Sequence, residues 1–537
     1  MRPLESALRD FGIDDGELTY FGKWKAKVSF GVSVSASTGK LVLVTGMTPT
    51  PQGEGKTVTT IGVAMGLNRL KRRAIPCIRQ PSLGPVFGIK GGGAGGGKSV
   101  LEPMQDVNMR LTGDFDAIAA AHNLLAAMVD NHVFHGNELG IDPSSIVWPR
   151  TVDANDRALR EITVAQGAKN GTPHEGRFVI TAASEVMAVF CLSMGYADLK
   201  NRLGRIVVAY TKDGKPVTAQ QVGAVGSMAA LLRDALQPNF VQTGEGTPAL
   251  VHGGPFGNIA HGTCSLLSIH KALQLGDYAV VEAGFGSDLG AEKFIDIVST
   301  VGGLHVDAAV LVATVRGLKY QGGLDKTDTP DVQAVTRGLE NLGKHIENVR
   351  ALGVRPVVAV NRFPSDTKEE IEMVQSFCGA QGVPSAVSSA FAEGGAGCTD
   401  LAQLVAEEAD KGSNPRPLYS SGRSIMEKVE VLTKTLYGGD GVKVTEQAAS
   451  DMARLDAMGL STNPVCVAKT PLSLSDDQTK RGRPRGFDVT VRRVEAAAGS
   501  GFNIVHMGDI QLMPGLPKSP AALRIDMDDQ GVITGVF

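Results

Sequence analysis

Cysteine is scarce in this chain of 537 residues: the six present, at positions 77, 191, 264, 378, 398 and 466, are scattered without a CxxC pair. That spacing argues against a disulfide-stapled scaffold and the common zinc frameworks, and predicts a reducing, cytoplasmic setting. An excess of either charge is also missing, since 53 Lys and Arg face 56 Asp and Glu for a formal net charge of -3. The chain as a whole therefore carries no electrostatic footprint for nucleic acid. Its one basic cluster, TKRGRPRG from Thr479 to Gly486, is rich in Gly and Pro and predicts a solvated loop. Long apolar runs are lacking too. The longest, AIAAAHNLLAAMV, is interrupted by His122 and Asn123, which predicts a buried helix and no membrane span. The N-terminal MRPLESALRDFGIDDGEL places acidic residues where a signal peptide needs an apolar stretch.

What is present describes a globular protein, with 42% hydrophobic and 20% charged residues. Its length predicts two to four domains of about 100 to 200 residues each. Short β-branched runs recur between helical stretches: LVLVT, RIVVAY, DYAVVEA, DAAVLVATV and RPVVAVN. Continuous apolar strands alternating with helices predict an α/β fold, a parallel sheet covered on both faces. We read a large P-loop α/β domain over 1–340. A smaller α/β unit over 341–435 follows, where NLGKHIENVRALGVRPVVAVNRF restarts the pattern. A C-terminal α+β domain over 436–537 completes the chain, with antiparallel strands in DVTVRRVEAAAGSGFNIVHMGDI.

The strongest local signal is GMTPTPQGEGKTVTTIGVAMGL, from Gly46 to Leu67, a strand running through a Gly/Pro turn into a helix. This is the setting of a phosphate-binding loop. Glycines at 53 and 55 let backbone N–H groups converge on phosphate oxygens, and the helix N-terminus adds its positive end. Lys56 would reach the outer phosphates of ATP and Thr57 would hold Mg²⁺, so Thr50, Pro51, Gln52, Gly53, Glu54, Gly55, Lys56 and Thr57 form the candidate nucleotide loop. A Walker pattern asks for Gly where this chain has Thr50. The loop alone leaves the fate of the phosphate open, because a switch ATPase, a kinase and a ligase all begin this way.

Longer strings narrow the choice. CIRQPSLGPVFGIKGGGAGGG from Cys77, EPMQDVNMRLTGDFDAIAAAHNLLAA, QPNFVQTGEGTPALVHGGPFGNIAHG, VVEAGFGSDLGAEKF, ATVRGLKYQGG, VNRFPSDT and GDIQLMPGLPKSPAA resemble the formate–tetrahydrofolate ligase family. The resemblance runs from about residue 20 to the end. It implies an ATP-driven joining of formate to N10 of tetrahydrofolate, in its plain or polyglutamylated form, through formyl phosphate, in a homo-oligomer, a tetramer by the same resemblance. By it, Arg79 would meet formate and the transferring phosphoryl group, which suits a guanidinium fork. Asp114 would accept or orient the amine proton, with a helix N-cap as the plain alternative. Phe363, Pro364, Phe391 and Phe285 would form the folate cleft, with Phe363 and Phe391 stacking on the pterin.

Departures from the family pattern cluster at this chemistry. Gln80 stands where the family has a Glu linked to a monovalent-cation site (K⁺ or NH₄⁺), so it offers an oxygen without charge. Arg110 and Asp116 stand where histidines are common, and Phe391 where Trp is. His252 and His261 lack a metal spacing and read as hydrogen-bonding residues of a glycine-rich loop. Two other readings remain: a divergent paralogue serving another small carboxylate or pterin, and a P-loop switch ATPase. The matches at Phe363 and in the C-terminal part count against the switch.

Overall fold

A computed structural model describes residues 4–9, 11–13, 15–30 and 39–536. Seven strands make its parallel centre: β1 Lys40–Gly46, β2 Ala74–Ile78, β3 Pro248–Val251, β4 Tyr278–Glu282, β5 Val306–Ala313, β6 Pro356–Asn361 and β7 Ser385–Ser388. Their spatial order is β3-β2-β4-β1-β5-β6-β7, every neighbouring pair parallel. β2, β3, β4 and β6 are buried along their whole length, as strands covered on both faces must be. Beyond β3 the sheet turns antiparallel through Asn239–Thr243, Ala26–Val28 and Leu18–Tyr20, reaching twelve strands with a side hairpin that includes Ser99–Glu102. The mixed α/β class read from the sequence is the one observed.

The break expected near residue 340 is not a break in the sheet. Helix Val332–Ala351 spans that position, and the strands after it, β6 and β7, pair on from β5. A restart of the helix-strand pattern is what one more βα unit of the same sheet produces. RIVVAY also departs from expectation. Val207–Tyr210 stays outside the main sheet and forms an antiparallel pair with Pro216–Thr218, because the turn at 211–215 folds the chain straight back on it. In the C-terminal part, Arg493–Ala497 and Phe502–His506 are antiparallel as read, whereas Val465–Ala468 joins Phe502–His506 in parallel and Gly441–Val444 joins Asp488–Val491 in parallel.

The basic cluster is not a loop left to solvent. Arg481 pairs with Asp325 at 2.6 Å and lies over the Tyr320 ring, and Arg483 makes a two-pronged bond to Glu347 at 2.8 and 2.9 Å. Gly482 accepts from Asn341, which also donates to the Thr48 hydroxyl just past β1. The segment thus straps the C-terminal part to the elements beside the phosphate loop. Among the described residues no helix is long and apolar enough to cross a membrane.

Helix α1, Lys56–Arg69, is buried continuously from Thr59 to Leu67. Two glycines one turn apart let another backbone approach it. A Cβ on Gly62 would come within 2.7 Å of Ala390 Cβ and Cys398 Sγ, and one on Gly66 within 2.9 Å of the Cys398 carbonyl. The segment that carries Phe391 is therefore seated directly on the helix that opens at Lys56, which fixes one wall of the site against the loop.

Candidate active site

The chain moves to one side of β1 for β2 and β3, returns with β4, and leaves to the other side from β5 onward. β1 therefore ends where the order turns, the place at which open α/β sheets gather ligands. The loop that follows is held from within. Gly53 and Gly55 adopt left-handed conformations, φ 82 and 74, and a side chain on Gly55 would strike Asn361 Nδ2 at 2.5 Å. Asn361, at the end of β6, donates to the Glu54 carbonyl at 2.9 Å. The buried Glu54 carboxylate accepts from the Thr50 amide at 2.6 Å and from the Thr314 hydroxyl, so its side chain braces the loop and only its backbone can meet phosphate. Arg316 donates to the Gly53 carbonyl. Pro51 and Gln52 are exposed at the tip.

The half-buried Lys56 lies back over the end of β1, its Cδ 3.5 Å from where a Cβ on Gly46 would stand. Beside it, the sequence reading missed the central group. Glu282, the last residue of β4, is 4% exposed and accepts from the Thr57 hydroxyl at 2.7 Å and from Arg79 Nε at 3.3 Å. Arg79, one residue beyond β2, also donates through Nη1 to the Pro255 carbonyl at 3.2 Å. Lys90 is a third cation here, close enough that its charge and that of Arg79 depress Lys56. Burial is the larger cause, and together they bring the Lys56 ammonium down to about 8 against the pull of Glu54 and Glu282. The arrangement is three cations around one carboxylate, with a hydroxyl on its other oxygen. Cations so placed can attract phosphate, and paired hard oxygens can hold a hard cation.

The other expected residues fall into distinct surroundings. Asp114, 1% exposed, bonds Lys27 Nζ at 2.7 Å and Thr112 at 3.2 Å through Oδ1, and Asn239 at 2.6 Å through Oδ2. Both oxygens are engaged, Oδ1 in a buried pair with Lys27 and Oδ2 by Asn239. Asp114 opens helix Asp114–Phe134, with Gly113 as the cap, so it is not the cap. Arg110 and Asp116 pair with each other at 3.1 Å on the surface. Gln80 is 2% exposed and, among the described residues, its Oε1 has no partner. His252 behaves as read, its ring bonded to Ser265 at 2.6 Å and to the Ala235 carbonyl at 2.8 Å, and burial lowers it to about 4. His261 does not. Both ring nitrogens are buried without partners among the described residues, and burial, then Arg79, lowers it to about 3.

The aromatic residues cap the same strand ends. Phe363 lies two residues beyond β6, with the Arg316 guanidinium 4.2 Å from its ring centre; Pro364 beside it is exposed. Phe391 lies three residues beyond β7 and is 59% exposed, its ring over Gly96 and Gly97. Phe285, three residues beyond β4, holds a left-handed conformation, φ 62. That is costly for a bulky residue and marks a constrained position. Its ring packs on Gly257, where a Cβ would stand 3.2 Å away.

A family model for formate–tetrahydrofolate ligase matches residues 1–537, the whole chain. The chain belongs to that family. Its members are ATP-dependent ligases. Among solved structures the chain is similar to the translation elongation factor SelB of Methanococcus maripaludis in complex with the GTP analogue GppNHp, at 14% identity over 28% of this chain and 28% of that chain, with a TM-score of 0.16; no conclusion rests on that likeness.

In this ligase chain, Glu282 had a readable signal, a lone carboxylate ending the apolar run YAVVE. Lys90 and Arg316 had weaker ones, a lysine just before GGGAGGG and an arginine just after a buried strand. The depressed Lys56 gives a testable pH dependence. Above about pH 8 the free ammonium loses its proton and with it the attraction for phosphate, so ATP affinity falls as pH rises through that value and is flat below it so far as this group is concerned. Lys56→Arg keeps its charge and should remove the dependence. Titrating ATP binding across that range checks it, and identical pH profiles for the two proteins would refute it.

Proposed function

We propose that this chain ligates formate to N10 of tetrahydrofolate, giving 10-formyltetrahydrofolate, ADP and phosphate through formyl phosphate. The observation that carries the reading is the Glu282 carboxylate, which joins the hydroxyl of the phosphate loop to the Arg79 fork. Formate resists nucleophiles because it is anionic and oxide is a poor leaving group. A formate oxygen attacks the γ-phosphorus and ADP leaves; N10 then attacks the carbonyl carbon, and the departing phosphate carries away the N10 proton. Lys56 and the loop amides hold the outer phosphates, and Arg79 offers parallel donors to the paired oxygens of formate. Thr57 and Glu282, hard oxygen donors within 2.7 Å of each other, fit Mg²⁺ and would hold it with ATP. Bound there, the ion offsets charge on the transferring group.

Phe363, backed by Arg316, and Phe391, on the neighbouring strand end, offer the pterin its flat faces, with Pro364 and Phe285 as further walls. Asp114 is held by Lys27 and Asn239 and takes no proton in this scheme. The deciding assay supplies ATP, Mg²⁺ and tetrahydrofolate with and without formate and follows the acid-convertible methenyl product. Formate-dependent product from the wild type, with a fall of about a hundredfold in Arg79→Lys, is expected. ATP turnover without formate, and no product with it, would reject the reading.

Gln80 fits a monovalent cation only in part, since a buried, unpartnered amide oxygen can coordinate but brings no charge. Gln80→Glu should therefore lower the half-saturating potassium concentration for ligation; superimposable titrations would remove Gln80 from any cation site. The chain is also proposed to act as a homo-oligomer, a tetramer. Light scattering at working concentration should give a multiple of the 56.2 kDa chain mass, and a monomer alone would refute it.

A further inference from the structure

Arg316 touches two parts of the site that receive different ligands. It is the second residue of helix Val315–Gln321 and is half-buried. Its Nη2 donates to the Gly53 carbonyl in the phosphate loop, and the carbon of the same guanidinium lies over the Phe363 ring, 4.2 Å from its centre. Its Nε is buried with no partner among the described residues. The guanidinium therefore takes its place from the loop on one side and the ring on the other.

The backbone on both sides is fixed independently. Thr314 caps the helix, accepting from the Gly317 amide at 2.9 Å and donating to Glu54. Lys319, one turn beyond Arg316, forms a buried ion pair with Glu370 at 2.8 Å, on the helix Lys368–Ala380 that follows the Phe363 turn. That turn is closed by Asp366, whose carboxylate accepts from the Phe363 amide at 2.8 Å. A change at one end of the guanidinium thus meets backbone that is held in place, and passes to the other end.

Peptide geometry ties the loop end of this link to phosphate. In a trans peptide the N–H points opposite to the carbonyl. Arg316 on the Gly53 carbonyl turns the Glu54 N–H away from itself, and Asn361 on the Glu54 carbonyl does the same for the Gly55 N–H. Neither N–H donates to another group among the described residues, so both are free for phosphate oxygens. A phosphate on the Glu54 N–H polarises that peptide and strengthens its carbonyl as an acceptor for Arg316.

We propose that Arg316 couples the two ligands of this site, so that nucleotide in the loop and pterin on Phe363 each bind more tightly when the other is present. The inference rests on the ligation reading above and adds a thermodynamic link to it. Phosphate draws the guanidinium onto the Gly53 carbonyl and so fixes the cation on which Phe363 rests. A pterin stacked on the other face of that ring restrains the same guanidinium through the ring. Whichever ligand binds first does the ordering and the second meets it already done, which is positive cooperativity. Arg316 is in this scheme a positioning residue, acting through the loop and the ring.

The test measures tetrahydrofolate binding by calorimetry, anaerobically and without formate, in the presence and absence of saturating Mg²⁺ and the non-hydrolysable ATP analogue AMPPNP. Tetrahydrofolate should bind at least about fivefold more tightly with the analogue in place, and the analogue should gain the same factor from tetrahydrofolate, as linkage requires. Arg316→Met removes the donors and the charge and should bring the factor to about one. If that variant no longer binds the analogue, Phe363→Leu decides, because it leaves Arg316 on Gly53 and breaks the link from the ring side. There the analogue should bind as in the wild type, while tetrahydrofolate, bound more weakly, no longer responds to it. The full factor retained in either variant would overturn the proposal. A wild type that ligates formate yet binds the two ligands independently overturns the coupling alone; one that fails to bind either ligand removes the ligation reading and this inference with it.

Discussion

The candidate site is organised by a single carboxylate. Lys56, Arg79 and Lys90 come from three different segments, and their mutual repulsion would push them apart in a partly buried pocket. Glu282 stands among them because β4 lies between β1 and β2 in the sheet, so the last residue of that strand falls between the exits of the two strands that carry the loop and the fork. Its two oxygens are divided between Thr57 and Arg79. Removing the carboxylate would leave like charges crowded in a partly buried pocket without their counter-ion. The same geometry leaves a net positive field for an incoming phosphate.

A second set of contacts keeps the loop in shape before any nucleotide arrives. Glu54 turned inward, Asn361 reaching across from β6, and Arg316 on the Gly53 carbonyl fix the backbone from three directions. Arg316 also covers one face of Phe363. The residue proposed to receive the pterin and the loop proposed to receive ATP therefore share one guanidinium, so displacement at either is felt by the other through direct contact.

Much of the architecture was legible in the sequence because buried parallel strands have continuous apolar middles, and LVLVT, DYAVVEA, DAAVLVATV and RPVVAVN do. RIVVAY carries the same composition, yet its place was decided by the tight turn after it, which periodicity does not register. The loop residues were legible as a motif. Their division of labour was not, since nothing in GEGKT distinguishes a glutamate facing phosphate from one folded back to Thr314. The surroundings of Asp114 were hidden for a related reason: the lysine that neutralises it lies 87 residues earlier in the chain. Glu282 and Lys90 acquire meaning only from which strands are neighbours, a property of the sheet as a whole.

The strap at 479–486 has a consequence for how this chain can change over evolutionary time. Arg481 and Arg483 hold the C-terminal part to Asp325 and Glu347, and Asn341 relays the Gly482 carbonyl to Thr48 at the mouth of β1. A C-terminal module joined by a slack tether could be traded between proteins like a cassette. Here it is riveted to the strand exit that feeds the phosphate loop. An exchange must bring its own matching rivets or leave two acids and an asparagine on the catalytic side without counterparts, so the two parts are bound to diverge together.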